Sequence, residues 1–161
     1  MKKSIIIAVL LTALCSFSAK AQDIWYQGEV ELGDSLGVGE YPFNRLNIQT
    51  IHGARFGDYF SAGAFIGLDY LHESEETIIP IGINLKGYYP IGEGIAPYLY
   101  LDLGYGIYAN DTDLSGLKFD IGIGMQLRMF KVQLGYDQFN LSDGGFSLGF
   151  GAIQLKLGIM F

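Results

Sequence analysis

His52 and His72 are the only two histidines in the 161 residues, and histidine is the side chain that ordinarily changes charge near neutral pH. His52 shares the parity of Leu46 and Ile48 and belongs to an apolar face. His72 opens the run His72-Glu73-Ser74-Glu75-Glu76, where imidazole, hydroxyl and carboxylates stand close enough for acid–base or nucleophilic chemistry. A solvated acidic loop accounts for the same residues more simply, and no catalytic residue is assigned. Glu73, Glu75, Glu76, Asp111 and Asp113 have oxygen-ligand chemistry for a loosely held divalent cation. They read better as a solvated negative rim, so no metal site is assigned. The glycines follow strand parity with no helix after them, which excludes a phosphate-cradling loop. No cofactor is expected.

The elements that would position these residues are clearest at the end of the chain, Gly149 to Phe161, reading GFGAIQLKLGIMF. Ile153, Leu155, Leu157, Ile159 and Phe161 fall on one parity, with Ala152, Gln154, Lys156 and Gly158 on the other. A period of two describes a strand with one apolar and one polar face. A terminal strand has nothing after it to cover its apolar face or its hydrogen-bonding edge. Closure into a barrel with lipid outside covers both.

Seven further segments alternate in the same way: Ile24–Leu32, Phe43–Arg55, Tyr59–Leu71, Thr77–Tyr89, Ala96–Ala109, Gly116–Met129 and Lys131–Asn140. Each is near the roughly 9–11 residues that a tilted strand needs to cross a bilayer. Pro80 cannot donate to a ladder and marks a bulge or an imperfect pairing. An even number of strands lets an up-and-down meander close with both termini at one end. The predicted fold is all-β, an eight-stranded antiparallel up-and-down transmembrane β-barrel.

The connections are expected to differ at the two ends. The odd ones, Gly33–Pro42, His72–Glu76, Asn110–Ser115 and Ser142–Ser147, read as longer or more polar. The even ones, Phe56–Asp58, Pro90–Ile95 and the Met129-Phe130 corner, read as tight. Asp34, Glu40, Glu73, Glu75, Glu76, Asp111, Asp113 and Asp143 all fall in the odd set, which contains no Lys or Arg.

The remaining charges balance. Glu29, Glu31, Asp69, Asp102, Asp120 and Asp137 lie on the polar parities, against Arg45, Arg55, Lys86, Lys118, Arg128 and Lys156. Lys131, at a turn, is placed on the apolar parity. An eight-stranded barrel has room inside for side chains alone, so these charges are expected to interlock with Asn47, Gln49, Asn84, Gln126, Gln133 and Gln154. The expected pairs are Lys156 with Glu29 or Glu31, and Lys86 near Asp102. Aromatic girdles are expected at Tyr59, Phe60, Tyr88, Tyr89, Phe130 and Phe161 at one end, and at Tyr41, Tyr70, Tyr108 and Phe139 at the other.

Residues 1–21 form a cleavable signal peptide by pattern: Lys2 and Lys3, the apolar core Ile5–Leu14, then Ala19-Lys20-Ala21. Cleavage is expected before Gln22, leaving residues 22–161 as the barrel domain. Cys15, the single cysteine, lies in the leader, and Leu14 before it argues against a lipid anchor. Loss of Lys2, Lys3 and Lys20 would take the formal charge from −7 to −10. That balance argues against a nucleic-acid partner, which needs a basic patch.

Leader, amphipathic strands, acidic loops and a terminal Phe161 together resemble the small eight-stranded outer-membrane barrels of the OmpX/OmpA type. The Ala-Lys-Ala/Gln junction and Gly-rich strands are similar to the porin-family versions of Bacteroidetes-like bacteria. The resemblance implies a monomer in a Gram-negative cell outer membrane, in contact with lipid and lipopolysaccharide. It also implies that the barrel-assembly machinery reads Leu155, Leu157, Ile159 and Phe161. No peptidoglycan-binding domain follows the barrel, so a tethering role is not implied.

The role expected is structural or interactive, with an unidentified extracellular partner at the acidic loops. Three other readings stay in view. One is a narrow porin-like channel along the polar lumen. A second is a secreted lipocalin-like barrel with its apolar face inward around a ligand. The third is a lipid A-modifying enzyme, because His72-Glu73-Ser74 resembles the His-x-Ser of outer-membrane lipid A deacylases. There the residues sit on a strand; here they fall in a loop, and the flanking residues differ.

Overall fold

Eight strands in chain order, each paired with the next and the last with the first, form a closed antiparallel barrel. The computed structural model describes residues 23–39, 42–72, 76–109, 115–143 and 146–161. The expected leader and its junction before Gln22 lie outside them. The strands are β1 (Ile24–Val38), β2 (Arg45–Phe56), β3 (Phe60–Leu71), β4 (Glu76–Tyr88), β5 (Ile95–Tyr108), β6 (Ser115–Leu127), β7 (Phe130–Asp143) and β8 (Phe146–Met160). Both described ends of the chain lie at the rim that carries the β2–β3, β4–β5 and β6–β7 turns, called here the terminus end.

Alternation decides which way the sheet faces. Leu155, Leu157 and Ile159 are about half exposed on the outside, as are Ile81, Ile83, Ile121 and Ile123. The polar parity turns inward and is shut off from solvent. An apolar ligand-binding lumen of the lipocalin kind would need the opposite arrangement. The parity is therefore resolved: apolar wall, polar core.

Closure is staggered. β1 pairs with β2 from Ile24 but with β8 only from Glu29, as tilted strands in a barrel require. Phe161 completes the seam, exchanging two backbone hydrogen bonds of 2.9 Å with Gly28. Its ring lies over Gly28, where a Cβ would collide with it. The β3–β4 ladder keeps register through Pro80 without an inserted residue but loses its pairs between Ile66↔Ile81 and Asp69↔Ile78. The imperfect pairing expected of Pro80 is present, and there is no bulge.

Three expectations about the rims need correction. β1 runs on to Val38, so Asp34 is a strand residue on the outer face, in register with Leu46 and Leu155, not a loop acid. β7 and β8 pair up to Asp143↔Phe146, and Glu76 begins β4. The strands thus take up much of the length expected in the odd connections, which are not consistently longer than the even ones. Glu40, Tyr41, Glu73, Ser74, Glu75, Asp111 and Asp113 lie outside the described residues.

The girdles also differ from expectation. Tyr59, Tyr89, Phe130 and Phe161 are well exposed at the terminus end, joined by Trp25 and Tyr26, and Tyr70 is exposed at the far end. Tyr88, Tyr108 and Phe139 turn inward and are buried. Their parity in the strand, not their position at its end, decides their direction.

Candidate functional site

The lumen is the most heavily functionalised part of the molecule, and it is built in layers. Six acids (Glu29, Glu31, Asp69, Asp102, Asp120, Asp137) and six bases (Arg45, Arg55, Lys86, Lys118, Lys131, Lys156) are each at most 6% exposed. The neutral balance expected from sequence holds, with one exchange of members. Lys131 shares the parity of Gln133 and points inward, whereas Arg128 sits in the β6–β7 turn and is exposed. Strand geometry explains both: Lys131 is the second residue of β7, and Arg128 leaves the strand with φ of 57°.

The layer nearest the terminus end centres on Tyr88. The Arg55 guanidinium stacks on its ring at 3.9 Å and donates to Gln126 Oε1 at 2.9 Å and to the Asp58 carbonyl at 3.1 Å. Lys131 Nζ donates to Tyr88 Oη at 2.8 Å and lies 2.7 Å from Glu29. Arg55 has no carboxylate partner among the described residues. Aromatic and neutral acceptors hold this buried cation instead.

The middle layer carries two hubs. Lys86 Nζ reaches Glu29 at 2.6 Å and Glu31 at 2.8 Å. Lys156 Nζ reaches Asp120 at 2.6 Å, Asp102 at 3.4 Å and Glu31 at 3.9 Å. Gln49 donates to Glu31 at 2.7 Å, Asn84 donates to Asp102, and Tyr100 donates to Asp120 at 3.0 Å.

The expected pairs are therefore largely exchanged. Lys86 takes the β1 glutamates, and Lys156 takes the aspartates of β5 and β6, with Glu31 only at its outer limit. Ladder neighbours meet through amides, as in Gln49 with Glu31 and Asn84 with Asp102; the close ion pairs are chords across the narrow lumen.

Above this layer, Lys118 pairs with Asp69 at 2.6 Å and Arg45 with Asp137 at 2.8 Å. An apolar cap closes the far end: Leu71, Ile78, Tyr108 and Phe139, with Phe43 and Phe150 packed against them. The last two rings meet edge to face at 5.0 Å.

The sequence pattern gave no task to the lumen aromatics Phe65, Tyr98 and Tyr100 and placed Tyr88 in a girdle, although the polar parity of all four was visible. The glycines explain how they fit. A Cβ on Gly122 or Gly135 would strike Tyr100, one on Gly124 would strike Tyr98, and one on Gly104 would strike Phe65. Each ring lies over bare backbone one or two strands away, which is what a side-chain-filled barrel this narrow requires. The cavity beside Gln27, Glu29, Ser61 and Asn84 measures only about 10 Å³, room for a single water at most.

His52 faces outward, as expected. Thr50 Oγ1 donates to the Glu29 carbonyl at 3.1 Å and so accepts from His52 Nε2–H at 2.9 Å. That leaves Nδ1 to accept from Tyr26 O–H at 2.6 Å. The chain of bonds is self-satisfied, which lowers the cost of polar groups on an apolar wall. His72 is exposed, with its ring edge-on to Tyr70 at 5.6 Å. Among the described residues no group of three His, Cys, Asp or Glu side chains converges as a metal site.

No protein-family model matches the chain, and no curated protein matches it in sequence. Solved structures do match in shape. Neisserial surface protein A (NspA) superposes with a TM-score of 0.62 at 10% identity, over 87% of this chain and 100% of that one. The outer membrane enzyme PagL gives 0.61 at 11% identity, over 80% and 98%. The N-terminal β-barrel domain of Pseudomonas aeruginosa OprF gives 0.52 at 16%, over 84% and 97%. The chain shares the fold of these small barrels.

Proposed function

We propose that this chain is a monomeric integral protein of a Gram-negative outer membrane, exported by its leader, with a structural or interactive role and no catalysis of its own. One observation carries the reading: an apolar wall encloses a lumen of six buried acids and six buried bases. In water that arrangement would expose the apolar face and bury the charges. In a bilayer the wall is solvated by lipid, and the charges neutralise one another within. The match in shape to NspA, PagL and the OprF barrel domain supports the same placement.

The packed lumen and its apolar cap favour a filled barrel over a channel. On this reading the loops at the far end meet the outside and its lipopolysaccharide, and the terminal strand through Phe161 serves recognition by the barrel-assembly machinery. Membrane extraction and gel mobility test the placement. The chain should resist release by urea or carbonate and should migrate differently before and after boiling. Release without detergent would overturn the proposal. In planar bilayers it should give no reproducible conductance steps.

A further inference from the structure

Seven Lys and Arg residues follow residue 21, and six are buried in the lumen. Arg128 alone is exposed. It stands at the terminus end in the β6–β7 turn, its N–H donating to the Gly94 carbonyl at 2.5 Å and its stem against Gly94, where a Cβ would lie 2.8 Å from Arg128 Cγ. Asp58 and Glu93 lie in turns at the same rim, but neither forms an ion pair with it among the described residues.

Beside this turn the outer wall is not smooth. An apolar groove of about 860 Å³ crosses it from β3 to β7, with Tyr59, Tyr89, Gly87, Leu99, Met125 and Val132 among its lining. The groove exists because Gly87 faces outward, in register with Phe60 and Leu99, and leaves a gap where its neighbours have side chains. A Cβ at Gly87 meets nothing within 4 Å. Four inter-strand spacings of ~4.8 Å give the groove a span of about 19 Å around the barrel wall. Arg128 lies between the lining residues Met125 and Val132 in sequence.

We infer that this groove and Arg128 hold one phospholipid of the leaflet at the terminus end. One acyl chain lies over Gly87, the phosphodiester sits on the Arg128 guanidinium, and Tyr59 and Tyr89 flank the headgroup level. The inference rests on the membrane placement proposed above. Apolar shape fixes the chain, and Arg128, the only exposed Lys or Arg among the described residues, supplies the complement to a phosphate.

Native mass spectrometry of the folded protein in mild detergent, titrated with phosphatidylglycerol, tests it. Wild type should retain one lipid per barrel. Gly87→Leu fills the groove without an internal clash and should weaken retention about tenfold, from the apolar contact it displaces. Arg128→Asn, which tolerates the same backbone conformation, should weaken it about fivefold while leaving binding of uncharged diacylglycerol unchanged. Heat-modifiable gel mobility confirms that each variant is folded. A folded wild type that retains no phospholipid, or variants that retain it equally well, would overturn the lipid site alone. A wild type released from membranes without detergent would overturn the membrane placement as well.

Discussion

Lys86 Nζ lies 2.6 Å from Glu29 Oε2, and neither side chain is more than 2% exposed. The strands that carry them, β4 and β1, are not neighbours in the sheet; the bond is a chord across the lumen. Glu31 at 2.8 Å completes a bifurcated hub. Removing the cation would strand two carboxylates where water cannot reach them, with only Lys131 and Lys156 near enough to compensate in part.

Lys86→Met should therefore destabilise the barrel by about 3–5 kcal/mol, the usual cost of breaking a buried pair. Urea unfolding in detergent micelles measures it. Adding Glu31→Gln should recover part of the loss, because it removes one of the two stranded charges.

Gly124→Val should prevent normal packing, since a Cβ at Gly124 collides with the Tyr98 ring, and overpacking of this kind costs about 1–3 kcal/mol or more. Combination with Tyr98→Ala should restore heat-modifiable mobility. Gly87→Ala, which faces open space on the outside, should leave the unfolding midpoint unchanged within about 0.5 kcal/mol.

Leu157 is 58% exposed on the outer wall. Leu157→Arg should cost about 2–4 kcal/mol if that face lies at mid-bilayer depth, read from folding into lipid vesicles. The same substitution in a water-facing wall would be close to neutral, so the result also reports on what solvates the wall.

Deleting Phe161 removes both hydrogen bonds to Gly28 and uncovers the seam that closes the barrel. Its loss should reduce the amount of folded protein in the outer membrane more than deletion of any single loop at the far end. Pulse-labelled fractionation of cells provides the comparison.

Much of this architecture is legible in the chain as written. A strand has a period of two, so residue type at alternate positions reveals two faces without any knowledge of neighbours. That is why eight elements, a neutral polar face and the place of His52 on the apolar face could be read directly. Lys131 carried the same signal in its parity with Gln133; nearness to a turn obscured it. Tyr88, Tyr108 and Phe139 are the same case: position at a strand end suggested a girdle, while parity sends them inward.

What the sequence could not decide is which face is inside and which charges meet. Parity is symmetric under exchange of inside and outside, and only closure of the sheet breaks that symmetry. Partner choice depends on strand tilt and stagger, which bring Lys86 to β1 and Lys156 to β5 and β6 across the lumen. The groove over Gly87 and the isolation of Arg128 belong to the same category. Each depends on how five strands register side by side, a property of the folded sheet and of no single segment.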